Sequence, residues 1–352
     1  MSIRLDFLRL SPIIEREYGS GDEERSSFFM QKVNCPLCGS LEYKVIFRAP
    51  ADPVEKLGYF SVVRCPECDF VFTNPQAEEK DLKKLYPTEY YGEEHQRFWT
   101  IVEKFIEFFR KRRIDKIEKF KKRGVILDIG CGRGKMLAGL RDKGWETYGT
   151  ELSEDSSKFA RERLGLKVYP GDFLSSKFPE VFFDCVTLWH VLEHLKDPLK
   201  VLMEIKRILK KDGLLLVAVP DYGGAQSVFS GRAWFHLDVP RHYSHFTFKT
   251  LKSFLDKAGF KVRQSRHFSL EYDPIGVLQS FYNLMGFKHN LLYGFLRAKK
   301  DRLKILSEHR WQSLFIFWTF PGFLGLSLFL SLYFSAWGRG GSLVLYALKG
   351  KR

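Results

Sequence analysis

The sequence predicts an α/β fold: a parallel sheet covered by helices on both faces, with a small cysteine-bearing module ahead of it and an apolar insertion before its last strand. Three observations predict it. From Val125 onward, short apolar runs alternate with helical patterns, as in parallel sheets buried on both faces. Upstream, four of the six cysteines stand in two C-x-x-C pairs. Downstream, no charged residue occurs from Trp311 to Gly338, a run dominated by Phe, Leu and Trp.

Residues 1–34 form a polar, irregular extension. Its apolar residues are interrupted by Arg4, Asp6, Arg9, Glu15 and Arg16, so it lacks the apolar core of a signal peptide. Residues 35–75 hold the cysteines and short β-like runs. Residues 76–124 turn helical: Val102, Phe105, Ile106, Phe109, Ile117 and Phe120 recur at helix spacing opposite a basic face from Arg110 to Arg123. The main domain takes residues 125–270 plus 339–352. Its predicted strands are Val125–Ile129, Glu146–Thr150, Leu166–Tyr169, Phe183–Leu188, Gly213–Val219, Phe260–Phe268 and Ser342–Leu348. Its predicted helices are Lys135–Lys143, Ser153–Leu164 with Ser153 as N-cap, Pro198–Lys210, and Phe248–Ala258 stopped by Gly259. Residues 271–338 are the apolar insertion.

A chain of 352 residues with 45% hydrophobic content buries a sizeable core. Its net charge of +15 admits nucleic acid, anionic lipid or a phosphorylated substrate and selects none of them.

Cys35-Pro-Leu-Cys38 and Cys65-Pro-Glu-Cys68 each form a tight knuckle that points two thiolates at one ion. Brought together by a β-hairpin, they make a closed Cys₄ site for structural zinc, with no coordination position left for chemistry. No dense interleaving of Lys, Arg and aromatic residues surrounds them, so the ribbon reads as a lid or docking module, and nucleic acid is not an expected partner.

Val125-Ile-Leu-Asp128-Ile-Gly130-Cys-Gly132-Arg-Gly134 is a strand ending in a glycine-rich turn, which lets a ligand approach the backbone at the carboxyl end of a parallel strand. A dinucleotide fingerprint needs Gly or Ala at position 135, where Lys135 stands. The segment resembles the first motif of class I S-adenosylmethionine-dependent methyltransferases, and the strands and turns downstream of it keep the family's spacing. The resemblance implies a Rossmann-like seven-stranded methyltransferase sheet. It makes Asp128, Gly130, Gly132, Gly134, Glu151, Asp172 and Phe173 the cofactor-binding set. Glu151 would accept the ribose hydroxyls, Asp172 would read the adenine amino group, and Phe173 would lie beside the ring. It covers roughly residues 100–268 and the final strand, and it is specific for the cofactor rather than the acceptor.

Trp189-His190-Val-Leu-Glu193-His194 follows the fourth strand, where such folds meet their acceptor. If helical, it would bring His190, Glu193 and His194 onto one face. Asp238-Val-Pro240-Arg241-His242-Tyr-Ser-His245 is a second histidine-rich loop. His190, Glu193, His194 and His242 are the catalytic candidates. The pairing is similar to elements in ubiquinone-type O-methyltransferases and in small-RNA 2′-O-methyltransferases. The latter hold a divalent ion with E-x-x-E-H and R-H-x-x-H elements, but His190 stands here in place of the first Glu. Three roles stay open at this point: hydrogen bonding of Glu193 and His194 to the loop or the cofactor, a substrate-side general base, and a metal site softer than one for magnesium.

Residues 311–338 are long enough to cross a bilayer. A crossing would part the last strand from its sheet neighbours, and Pro321-Gly322 and Gly325 interrupt the run. The expectation is an interface-lying hairpin, monotopic or peripheral at the cytoplasmic face, with a basic flank at Leu291–Arg310 facing anionic headgroups. A hydrophobic dimer interface is the alternative. The expected activity is methyl transfer to oxygen, or else carbon, of a small, sugar or lipid-linked acceptor. Its rivals are a nucleic-acid methyltransferase or binding protein, and a non-catalytic membrane scaffold.

Overall fold

The structure, a computed structural model, describes residues 30–51, 59–77, 100–297 and 302–350. The expectations for residues 1–29 and 78–99, and for Lys299, Lys300 and Asp301 in the basic flank, lie outside these. In chain order the first elements are β1 (Met30–Gln31), β2 (Lys44–Pro50), β3 (Tyr59–Arg64), β4 (Val71–Thr73), β5 (Gln76–Ala77), α1 (Thr100–Phe120), β6 (Val125–Ile129), α2 (Lys135–Asp142), β7 (Glu146–Glu151), α3 (Glu154–Leu164), β8 (Lys167–Pro170) and β9 (Phe183–Trp189). Then come α4 (Pro198–Ile208), β10 (Leu209–Pro220), α5 (Ala225–Ser230), β11 (Ser244–His245), α6 (Phe248–Ala258), β12 (Phe260–Arg266), α7 (Asp273–Leu284), α8 (Leu291–Arg297), α9 (Arg302–Glu308), α10 (Arg310–Ala336) and β13 (Ser342–Lys349).

Seven strands form one sheet in the order β12-β13-β10-β9-β6-β7-β8. β13 runs antiparallel to both β10 and β12, and the remaining pairings are parallel. The last strand therefore inserts where the sequence places it, between the fifth and sixth strands of the domain. Alternating side chains of each strand serve opposite faces. On one face Ile114 and Ile117 of α1 and Met136 and Leu140 of α2 pack with Ile126, Cys185, Leu216 and Val344. On the other, Leu202 and Ile205 of α4 and Leu251 and Phe254 of α6 pack with Leu127, Val186, Leu215 and Leu345. Ser153 caps α3 by accepting a bond from the Ser156 amide, and Gly259 ends α6 in the left-handed conformation.

The cysteine module is not a separate lid. Its strands join β11 of the main domain in a second sheet, ordered β11-β4-β3-β2. Phe70 packs against Phe246 and Phe254, and Leu37, Val63 and Phe72 belong to the same core as the α4 and α6 face. The pairing of Ser244 with Phe72 and of His245 with Val71 fixes the ribbon to the second histidine loop.

The apolar insertion also departs from expectation. α10 is one continuous helix through Pro321, with no hairpin at Pro321-Gly322. A proline removes one amide from the ladder, yet the flanking turns hold when a packed partner supports them. That partner is α7: Tyr282 and Thr319 hydroxyls lie 2.9 Å apart, Phe281 and Phe323 stack edge to face, and Ser327 and Ser331 are buried small residues on the inner side of α10. The outer side stays bare. Trp311, Phe317, Trp318 and Trp337 are 70–78% exposed, and Phe329 is 62% exposed.

Candidate functional site

The glycine-rich turn between β6 and α2 is held from beneath. The amides of Gly130 and Cys131 both donate to the carbonyl of Thr150. The amide of Gly132 donates to Glu151 Oε2 at 2.8 Å, and the amide of Ser153 donates to Oε1 at 2.9 Å. Glu151 is buried. Burial pushes its carboxyl up while the two amides pull it down. A carboxylate offers about four lone-pair positions, so each oxygen keeps one for a further hydroxyl donor. Gly130, Gly132 and Gly134 all have positive φ. A Cβ at Gly132 would meet nothing within 4 Å, which leaves the backbone there open to a ligand.

Asp172 stands exposed after β8, where its Oδ2 accepts from the Leu174 amide and begins a short turn. Two other residues of the set are buried. Phe173 packs into the core, stacked on Phe178. Asp128 lies below the turn, where it accepts from Thr187 Oγ1 at 2.6 Å and ties β6 to β9. Burial pushes its carboxyl up to about 7.

The segment after β9 passes directly over the turn: a Cβ on Gly130 would lie 2.5 Å from Val191 Cγ2. The segment is not a helix through His190. His190 takes a left-handed backbone with φ 54°, and only Leu192–His194 makes a single tight turn. Residues held in that region without being glycine cluster at functional sites. The His190 side chain lies 3.3 Å from Glu193 Oε1 through Nδ1, and its ring sits 4.3 Å from that of Tyr272. Burial lowers the His190 imidazole to about 3 and raises the Glu193 carboxyl to about 7.

His194 turns the other way. Its Nδ1 donates to the Arg241 carbonyl at 3.1 Å, and its ring meets that of His242 at 4.5 Å. His242 donates through Nδ1 to the His236 carbonyl at 3.0 Å and is buried behind His194. Both imidazoles thereby carry their lone pair on Nε2. Burial holds both below the usual histidine value. Ligand atoms of Glu193, His194 and His242 lie within 4.8 Å of one another, and Glu193 Oε2 is buried without a hydrogen-bond partner among the described residues. Of the four catalytic candidates, three therefore form one cluster and His190 reaches it only through Glu193.

At the ribbon the four sulfurs of Cys35, Cys38, Cys65 and Cys68 also lie within 4.8 Å of one another. The two knuckles match: the Gly39 amide returns to Cys35, and the Asp69 amide returns to Cys65.

Sequence reasoning missed Arg113. It reaches from α1 to the acceptor end of the sheet, stacks 4.2 Å over the Trp189 ring, and donates to Glu271 and Tyr272. The basic face from Arg110 to Arg123 was the available signal, but nothing local told which of its cations turns inward.

Residues 94–265 match the family model described as a methyltransferase domain. An uncharacterised methyltransferase of Geobacillus sp. (strain WCH70) is 31% identical over 150 residues, 39% of this chain and 70% of that one. A ubiquinone biosynthesis O-methyltransferase of Actinobacillus pleuropneumoniae is 28% identical over 103 residues, covering 26% of this chain and 43% of the relative. Among solved structures, a SAM-dependent methyltransferase from Archaeoglobus fulgidus is similar with a TM-score of 0.44 and 22% identity, over 69% of this chain and 94% of that one. With its strand order, its glycine turn held by Glu151, the family model and the Geobacillus relative, the chain belongs to the class I S-adenosylmethionine-dependent methyltransferases.

Proposed function

We propose that the protein methylates a hydroxyl oxygen of a small, sugar or lipid-linked acceptor at a membrane surface, with His194 as general base. The observation that carries this reading is the fixed tautomer of His194. Its Nδ1–H is committed to the Arg241 carbonyl, so Nε2 is the atom able to take a proton. Burial keeps the ring neutral at pH 7. When bound, S-adenosylmethionine supplies a sulfonium methyl whose sulfur leaves as a neutral thioether. The acceptor oxygen gains that methyl, and its proton passes to His194 Nε2 and then to water. Glu151 and the Gly132 backbone hold the ribose end, and Asp172 remains the candidate for the adenine amino group. In-line alignment supplies most of the acceleration, and the base adds about 10²–10⁴-fold.

A second reading has its own support. Glu193, His194 and His242, whose ligand atoms lie within 4.8 Å of one another, are a donor set for a divalent ion that would polarise the acceptor hydroxyl. The Cys₄ cluster supports a structural zinc, since its four sulfurs lie within 4.8 Å of one another, close enough to share one tetrahedral ion. The bare side of α10 supports a monotopic or peripheral contact with the cytoplasmic face of a membrane. The start of α10 is tied to the insertion itself, where the Lys288 amide donates to Gln312, and the chain after its end returns to the main domain, where the Ala225 amide donates to the Arg339 carbonyl.

The test is methyl transfer from labelled cofactor into fractionated lipid, sugar and RNA pools. The expected result is label in a lipid or sugar fraction, with kcat lowered about 10²-fold or more in His194→Ala and cofactor affinity unchanged. Full activity in that variant overturns both the base and the metal reading. Loss of activity with a chelator that leaves the ribbon zinc in place favours the metal. Label in RNA with steep salt dependence replaces the acceptor assignment.

A further inference from the structure

A cavity of about 340 Å³ lies between α1, the segment after β12 and the carboxyl-terminal end of α10. Arg112, Arg113 and Lys116 of α1, Arg266 of β12, Trp189 and Ser335 line it. Four cations thus face one carboxylate, Glu271, which is already bonded to Arg113. Burial lowers the Lys116 ammonium, and Arg266, Arg112 and Arg113 lower it further by repulsion. Like charges gathered in a half-buried cleft cost stability unless an anion joins them. Two buried donors there, Trp189 Nε1 and Arg113 Nε, have no hydrogen-bond partner among the described residues. Trp189 ends β9 and immediately precedes His190, so the cavity adjoins the proposed acceptor end, while Ser335 joins it to the helix with the bare apolar side.

We infer that this cavity binds the phosphate or diphosphate group of the methyl acceptor, through Lys116, Arg112 and Arg266, with the rest of the acceptor extending past Trp189 at the end of β9. This rests on the acceptor reading above and narrows it to phosphorylated acceptors. Guanidinium and ammonium groups together suit that ligand: forked donors grip two phosphate oxygens, and the lysine adds a point charge. A phosphate carried by a lipid and one carried by a soluble molecule present the same chemistry.

Binding is measured on the full chain without turnover, so the result is independent of whether His194 is a base or the acceptor is a hydroxyl. The probes are inorganic pyrophosphate and inorganic phosphate, titrated calorimetrically at fixed ionic strength. The wild type should bind pyrophosphate more tightly than phosphate, and pyrophosphate should raise its melting temperature above that in matched chloride. Lys116→Met with Arg266→Met should weaken pyrophosphate by about tenfold or more. Lys111→Met, which removes an exposed charge on the same helix outside the cavity, should leave pyrophosphate binding unchanged. The double variant should also melt no lower than the wild type without anion, because it relieves repulsion. S-adenosylmethionine affinity in the double variant reports that the domain is intact. Vesicles of phosphatidylcholine, with and without phosphatidic acid, separate the sources. Selective loss of phosphatidic-acid binding in the double variant assigns the phosphate to a lipid. Unchanged vesicle binding with lost pyrophosphate binding assigns it to a soluble acceptor. Absence of wild-type pyrophosphate binding, equal affinity in the double variant, or equal weakening by Lys111→Met overturns the inference.

Discussion

His245 is sealed at the junction of ribbon and catalytic domain, 3.2 Å from the Thr73 hydroxyl. Its burial lowers the imidazole to about 3. An unfolded chain binds a proton at this residue below about 6.5, and the folded chain does not until about 3. The stability it contributes is therefore present above pH 6.5 and is lost as pH falls, by up to about 1.4 kcal/mol per unit. Asp128 and Glu193 titrate with the opposite sign, so the total pH profile mixes both. The difference between wild type and His245→Gln isolates the histidine. Urea unfolding should show the variant's disadvantage at pH 7 shrinking by roughly 2 kcal/mol at pH 5. A disadvantage that stays constant would mean His245 is protonated in the fold. Residue-level chemistry was partly legible in the sequence. The Glu151 position and the glycine turn follow from spacing along one strand–turn–helix unit, which is local. The inward turn of Phe173 and the burial of His242 behind His194 depend on neighbours far along the chain, and no spacing encodes them.

At the scale of elements, the ribbon and the histidine loop are one unit. β4 pairs with β11, the Thr73 amide donates to the Tyr243 carbonyl, and the Thr73 hydroxyl donates to the His242 carbonyl at 2.7 Å. Zinc at the four cysteines would hold β3 and β4 in register, and β4 holds His242. Purified protein should contain about one zinc per chain. Cys65→Ser should lose that zinc and lower turnover, although no cysteine of the ribbon touches the cofactor turn. Metal analysis with parallel assays checks both, and turnover unchanged after zinc loss would separate the two units. The strands of the main sheet were legible because parallel strands buried on both faces read as apolar runs between turn signals. The ribbon's attachment was not, because it is a two-residue strand with no periodicity of its own. α10 was misread as a hairpin because Pro321-Gly322 is a local break signal. Its continuity depends on α7, a partner that the sequence does not announce.

For the whole molecule, the sheet's carboxyl edge, the basic cavity and the bare side of α10 meet around one end of the domain through Trp189 and Ser335. Large apolar side chains so exposed on one helix require a cover in a soluble environment. Full-length protein should float with liposomes containing anionic lipid. Exchanging Phe317, Trp318 and Phe329 for Ser, all on the exposed side, should abolish flotation and leave cofactor binding intact. Concentration-dependent dimerisation without flotation, lost in the same variant, would instead make α10 an interface between two copies. All of these arrangements presuppose the cofactor cleft, whose direct measurement is calorimetric titration of S-adenosylmethionine into the full chain and its Glu151→Ala variant. One cofactor should bind per chain. The variant should bind at least tenfold more weakly, since it loses charge-assisted bonds worth about 1.5–3 kcal/mol each. No binding to the wild type, or equal affinity in the variant, would contradict the account.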